Sequence, residues 1–559
     1  MTAKPAANRR NDTPRPGLVE RAATKIGALW YGSPLYRLTL PRRAPLEFPI
    51  LPDDPWPGLA ARADRLFQGR FAFAGLEVVS PHAAPWDADV DSLNAEPASI
   101  AAWAAELHGF AWLRDFAAQG GDMAQRMSRS LVQHWIERHT QWQPRAWAAP
   151  VIGRRLTAWL NAGHFLLRDS EASFAHDLLL SVARQAAHLG RVAPRVADPA
   201  ARAEALLGLV YAAESLPGGA ERWPRALEKL ILAWEAQLLP DGGHVSRCPS
   251  RLFAMFRDVV ALQRYLSAGH PERLSLMPLM DRMAPMLRFF RHGDGGLALF
   301  HGGEEEAAGA LDHALALSES LIQGKHGKPP ASSAASGYER LAPRRALLLL
   351  DTGAPPPSHA GRPHAAPLAF EFSHGKDRLI VNCGAARRLG GDWAEALSGP
   401  AAHATLGIEH ARPAPHFTVR LQRHEQDGHA WVEAEHDGWQ AAFGLLHKRR
   451  LYLAAAGDDL RGEDLLEGGA PDQPRGFTLR FHLHPSVHAS LIGAGDTVLL
   501  KTGSGQGWRW RGQGGLVRLE DSVYLGQGGE LRRSQQIVMA GSAAGLPVQL
   551  KWALSKIPA

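Results

Sequence analysis

Histidine and arginine crowd one short stretch, PDGGHVSRCPSRLF, at residues 240–253. A turn of Pro240, Asp241, Gly242 and Gly243 follows a helical run, and His244, Arg247 and Arg251 come directly after it. An imidazole titrates near neutrality and can move a proton at physiological pH. A guanidinium grips a carboxylate through two parallel hydrogen bonds. The set suits an acidic substrate. The competing reading is a decorated helix boundary, in which Asp241 and Arg247 fix the turn and tie two helices together. Upstream, RRLTAWLNAGHFLL places Arg155, Trp159 and His164 on one helical stretch. An indole there can stack on a sugar ring or fill the core. Downstream, Glu304, Glu305 and Glu306 stand at an expected helix start, where the helix dipole favours anions. A glycosidase needs two carboxylates across its cleft, a placement that spacing along the chain leaves open.

Several chemistries are excluded. No glycine-rich phosphate loop and no serine elbow stands in a strand–turn–helix context. The two cysteines, Cys248 and Cys383, rule out a disulfide framework, and no Cys/His cluster has zinc-finger spacing. With 62 basic and 56 acidic residues the net charge is only +6, which is not the balance of a nucleic-acid binder. A modest positive field suits an anionic substrate or a membrane surface. No apolar run approaches the roughly 18 residues of a membrane span. The first residues, MTAKPAANRRNDTPRPG, lack the apolar core of a signal peptide. A cytoplasmic location is expected, with peripheral association to the envelope open. Oligomeric state is left undetermined.

These residues must be positioned by two kinds of element. Residues 1–20 read as a disordered arm, polar and without apolar periodicity. From about residue 95 the apolar positions recur at three-and-four spacing, as in Trp103, Leu107, Phe110 and Leu113. Similar stretches cover 124–139, 153–168, 172–189, 201–215, 222–238, 250–267 and 273–291, with one more near 305–323. Serial helix pairs with short links predict an α/α arrangement curved around a cleft, over residues 21–323. GKHGKPPASSAASGYERLAP, residues 324–343, reads as a low-complexity linker. Beyond it the period changes to two. In FTLRFHLHP, Phe477, Leu479, Phe481 and Leu483 alternate with Thr478, Arg480, His482 and His484. Residues 344–559 are therefore predicted as an antiparallel β-sandwich.

The same stretches carry a resemblance. PDGGHVSRCP resembles the D-G-G-H-x-x-R-x-P element of the heparinase II/III family, PHAAPLAFEFSHGKDRLIVNCG its strand pair beginning H-A-D-A-L-S-F-E, and AAHATLGIE its A-A-H-N-T-V element. EHDGW and HKRRLYLAAAGDDLRGEDLL resemble its H-x-G-Y, H-R-R and G-x-D series. The set spans most of residues 100–490 in the family's order. The resemblance implies an α/α toroid (an incomplete helical barrel) followed by a β-sandwich. It also implies a carbon–oxygen lyase that cuts an acidic polysaccharide or oligosaccharide by β-elimination.

That reaction needs a cation to neutralise the uronate carboxylate, a base for the C5 proton and an acid for the leaving oxygen. By resemblance, His364 is a general base or metal ligand, with Phe370 and Glu371 at the family's offsets. His403 is a metal-site or cleft residue, and His244 and Arg247 belong to the cleft loop. Arg155, Arg247 and Arg251 would supply positive charge and Trp159 a stacking surface. Two departures matter. The family's proton-donating tyrosine has no counterpart, because Ser250, Arg251, Leu252 and Phe253 fill that element. Some members hold zinc on two histidines and an aspartate, and Asn382 replaces the aspartate here. Neutral amide oxygen is a poor zinc ligand, so no cofactor is expected. Loss of the donor leaves a second reading open, a non-catalytic glycan-binding protein on the same scaffold, and a third, a glycan hydrolase.

Overall fold

A computed structural model describes residues 27–81, 84–93, 95–266, 271–357, 364–385, 389, 392–468, 475–493, 495–526, 529–543 and 545–558. The arm expected over residues 1–20 lies outside the described residues. The chain divides into two compact units: residues 1–52, 57–68 and 104–226, and residues 53–56, 69–103 and 227–559. The division does not fall at 324–343, since the helices from residue 227 onward group with the sheets.

The first unit is helical. Its main helices are Gly121–Arg138, Ala149–Asn161, Ala172–Val192 and Pro199–Ser215. The last begins on Asp198, whose carboxylate accepts the Ala201 N–H at 2.7 Å, with proline in the first turn. It is apolar around nearly its whole circumference, and every residue from Ala205 to Ala213 is buried. It crosses Ala149–Asn161 backbone to backbone. A Cβ on Gly208 would lie 2.3 Å from the Gly153 carbonyl oxygen, so only glycine permits this approach.

The second unit combines the helices Pro249–Tyr265, Met277–Phe289 and Ala310–Ile322 with two antiparallel sheets. Among the described residues, one sheet runs in the order His488–Ile492, Thr497–Lys501, Gly507–Gln513, Val548–Lys556, Asp459–Gly468, Leu445–Leu453, His429–His436, Val419–Gln426. The other runs Leu516–Leu525, Leu531–Ser542, Gly476–Leu483, Asp377–Val381, Phe370–His374, Ala346–Asp351, Tyr338–Leu341, Ser332–Ser333, with Leu406–Ile408 also paired to Gly476–Leu483. Their inner faces form one core, where Phe370 stacks on Trp552 at 5.5 Å and Phe372 meets Trp508 edge-on at 5.7 Å. Phe477, Leu479, Phe481 and Leu483 all point into it, as their alternation predicts.

The stretch read as a linker carries two strands, Ser332–Ser333 and Tyr338–Leu341. Its small residues hid buried anchors: Tyr338 is fully buried, and Glu339 pairs with Arg423. No helix among the described residues is long and apolar enough to cross a membrane.

Candidate functional site: a buried histidine cluster

The turn at Pro240–Gly243 is built by its own residues. Gly242 has φ +87°, and a Cβ there would meet the Arg282 carbonyl oxygen at 2.0 Å. Asp241 accepts the Ser333 hydroxyl at 2.6 Å, the Ser336 N–H and hydroxyl at 2.7 Å each, and the Gly243 N–H at 3.1 Å. Burial raises this carboxyl, but the four donors win and hold it below its ordinary value. His244 follows, buried. Its Nδ1 accepts the Ser246 N–H at 3.0 Å and lies 2.7 Å from the Ser246 hydroxyl, so Nε2 carries the proton. Burial, and then the charge of Arg251, push its pKa down to about 3.

Arg247 does not reach outward. Its Nε donates to the Ser336 carbonyl at 2.7 Å, Nη1 to Ala354 at 3.0 Å and Nη2 to Gly337 at 2.8 Å. Nη2 also pairs with the Asp351 carboxylate, and the guanidinium lies 4.7 Å over the Tyr338 ring. Gly353 has no side chain because a Cβ would sit 2.4 Å from Nη2. Its charge is paired with a carboxylate of the protein itself.

Asp351 also faces His301, a residue that the motif reading passed over. His301 Nε2 lies 2.8 Å from Asp351 Oδ2 and 3.1 Å from Arg247 Nη1. The carboxylate is the stronger and nearer acceptor, so Nε2 donates to it and Nδ1 keeps a lone pair. That Nδ1 is buried and has no hydrogen-bond partner among the described residues. Burial pushes the imidazole down more than Asp351 raises it, so His301 is neutral. For Asp351 the balance reverses: burial raises it, but Arg247 and His301 hold it at about 2. His301 sits at φ +47°, uncommon for a side-chain-bearing residue, in the turn Phe300–Gly303. A Cβ on the neighbouring Gly302 would lie 3.4 Å from His364 Nε2. The available signals were a histidine before two glycines and an acid closing the apolar run ALLLLD; neither names its partner.

His364 and His403, 39 residues apart, are brought together. His403 Nδ1 donates to the Gly399 carbonyl at 2.9 Å, which leaves Nε2 to accept the His364 Nδ1–H at 3.1 Å. His364 Nε2 therefore carries the lone pair. Burial pushes His403 to about 4, a neutral orienting imidazole.

Asn382 and Glu371 lie behind this pair. Glu371 is fully buried and accepts His292 Nε2 at 2.9 Å, the Leu299 N–H at 3.0 Å, and both the N–H and side-chain amide of Asn382 at 3.1 Å. Asn382 Oδ1 accepts the Ala404 N–H at 3.1 Å. The set His364, His403 and Asn382 does not fit a zinc ion. The two imidazoles bond to each other, and the amide is spent on Glu371 and Ala404. No group of three or more His, Cys, Asp or Glu among the described residues is arranged for a metal.

Arg155, in the first unit, is fully buried, donating to Gln185 at 2.7 Å and to the carbonyls of His108 and Ala146 at 2.8 and 2.9 Å, over the Trp135 ring at 4.0 Å. Trp159 is buried beside it. Both stand where core residues stand. Arg251 is half-buried in the first turn of Pro249–Tyr265, and Leu252 and Phe253 are core.

The fold and the ordered motifs define a class. The chain belongs to the heparinase II/III-like family. The family model "Heparinase II/III-like, C-terminal" matches residues 325–553. FtsZ-localized protein C of Caulobacter vibrioides (strain NA1000 / CB15N) is 30% identical over 563 residues, covering 96% of this chain and 95% of the relative. Among solved structures, heparinase III superposes with TM-score 0.72 at 14% identity, over 98% of this chain and 92% of that one. The heparan sulfate lyase HepC of Pedobacter heparinus gives 0.56 at 13%, over 96% and 88%. The fold class is thus an α/α toroid followed by an antiparallel β-sandwich, a polysaccharide-lyase fold.

Proposed function

We propose that this protein acts on a uronate-containing glycan by β-elimination, with His364 as the base. The observation that carries this is the imidazole pair. His403, fixed by Gly399, accepts the His364 Nδ1–H and leaves His364 Nε2 as a lone-pair nitrogen. That nitrogen takes the C5 proton, the C–H electron pair becomes the C4=C5 double bond, and the C4–O bond breaks. The His364 imidazolium then returns the proton to the departing oxygen, so no tyrosine is required. Arg251 supplies positive charge toward the uronate. No metal takes part. Asp351 and Glu371 are both filled by donors of the protein, so neither serves as the attacking carboxylate of a hydrolase.

A second reading is a glycan-binding protein without turnover. It is favoured by Arg251 and Leu252 at the donor's position and by the closure of His244 and Arg247 in protein bonds. The relative's name adds a place. A chain sharing its location would be found where FtsZ is; a cytoplasmic protein peripheral to the envelope would act on an imported oligosaccharide or an envelope glycan made inside the cell. Imaging a labelled fusion beside FtsZ checks this, and a diffuse signal removes it.

The reaction is tested by ultraviolet absorbance of unsaturated uronate over a panel of acidic glycans, wild type against His364→Ala. A rise abolished by the substitution supports the base assignment. A rise that persists in His364→Ala removes it. Binding without any rise favours the second reading.

A further inference from the structure

We infer that Arg449 is a positioning residue that holds His364 and His403 together by clamping the two chain segments that carry them. Its relevance to catalysis rests on the β-elimination reading; the clamp itself does not. Arg449 lies on Leu445–Leu453 directly opposite Asp464 on Asp459–Gly468, wholly buried between the sheets. Its Nε donates to Asp464 Oδ1 at 2.7 Å. The same carboxylate takes His447 Nε2 at 2.8 Å and Trp552 Nε1 at 3.0 Å, so the anchor is itself fixed. The Phe370 ring lies 5.4 Å beneath the guanidinium.

The other end of Arg449 does something that charge neutralisation does not require. Nη1 donates to two carbonyls, those of Leu368 and Ala404, the latter at 3.0 Å. Leu368 is four residues from His364, and Ala404 adjoins His403. Leu368 has φ +56°, a left-handed conformation that a leucine rarely adopts. A cationic donor on its carbonyl holds it there. Ala404 is held from both sides, its oxygen by Arg449 and its N–H by Asn382. The segments are also joined by the Thr405 hydroxyl on the Pro367 carbonyl, by the His364–His403 bond and by the Ala365 N–H on the Ser398 carbonyl. A guanidinium serves Asp464 and both carbonyls from one rigid plane. A lysine ammonium keeps the charge but not that fork.

The test is carbethoxylation by diethylpyrocarbonate, read residue by residue by mass spectrometry. His403 is buried and should resist in the wild type, as should His108 and His188, buried in the helical unit. In Arg449→Lys, His403 should label about tenfold faster or more while His108 and His188 stay protected, a local opening. Unchanged His403 protection in a folded variant would overturn the clamp. If the controls are released too, Thr405→Val decides. It cuts a neutral link between the segments and leaves Arg449 in place, so His403 should stay protected; release of His403 there overturns the proposal. Labelling needs no glycan, so a wild type without lyase turnover removes the β-elimination reading and leaves the clamp standing. Where turnover is seen, Arg449→Lys should lower kcat about tenfold or more with KM little changed, and a change in KM alone counts against it.

Discussion

Replacing Asp351 by Asn tests the electrostatic heart of the cluster. The carboxylate faces Arg247, which is buried and stacked on Tyr338, and His301. Two magnitudes bear on the cost. A carboxyl held at about 2 instead of 3.8 favours the anion by roughly 2 kcal/mol. That counts only the preference for ionisation. The amide also strands the Arg247 charge in the interior, and removing one partner of a buried pair costs about 3–5 kcal/mol. The second figure governs, because the neutral amide leaves the guanidinium behind. The amide also presents its NH2 to His301 once its oxygen turns to Arg247, so His301 must move its proton to Nδ1. Hydrogen exchange of the strand Ala346–Asp351 reads the local opening energy. The loss corresponds to about two to four decades of exchange rate. Asp351 stays ionised above its unfolded value, so this loss should be constant from pH 8 to 5. It should shrink only as the carboxyl protonates between 3.8 and about 2. A loss below about one decade would refute the claim that Asp351 neutralises Arg247.

Buried histidines set the acid side of stability. His403 is held at about 4, and His244 and His482 at about 3, against 6.5 when unfolded, so the unfolded chain binds protons first as the pH drops. Denaturation midpoints should fall steadily from pH 6.5 toward 4, each group contributing up to on the order of 3 kcal/mol; a midpoint constant between pH 7 and 5 contradicts the burial argument. Asn382→Asp, which restores the family's acid, should destabilise rather than create a zinc site, since it places a carboxylate 3.1 Å from Glu371 in place of a donated hydrogen bond. The variant's deficit should shrink as the pH falls and one carboxyl takes a proton, and calorimetry should detect no zinc; zinc-dependent stabilisation would overturn the fit argument.

Much of the scaffold was legible because it repeats a local rule. Helical spacing marked the helices from Gly121 to Phe289, and alternation marked Phe477 to Leu483. The strand Ala346–Asp351 was not marked, because a strand buried on both faces shows no alternation. The stretch 324–343 was misread for a related reason. Its serines and glycines looked like a linker, while Tyr338 and Glu339 gained their buried partners only in the folded chain.

The site was legible as residue types and not as pairings. His364 and His403 were recognised separately, and only the fold shows that one orients the other. Arg247 was read as a grip for a substrate carboxylate or as a residue fixing its turn, and the carboxylate it pairs with lies 104 residues away at the end of a hydrophobic strand. Arg155 and Trp159 carry the same ambiguity: a guanidinium on a helix looks equally apt for a ligand or for two backbone carbonyls. What separates these cases is how many donors the protein itself fills. Arg247 spends its donors on carbonyls and fixed side chains, Arg155 spends Nε and Nη1 in the same way, and Asn382 spends its amide on Glu371 and Ala404. His364 and His301 instead have one ring nitrogen whose tautomer is set by the bond that the other nitrogen makes. A search for chemistry in this fold should therefore begin from nitrogens whose tautomer is set by the scaffold, not from the most strongly charged side chains.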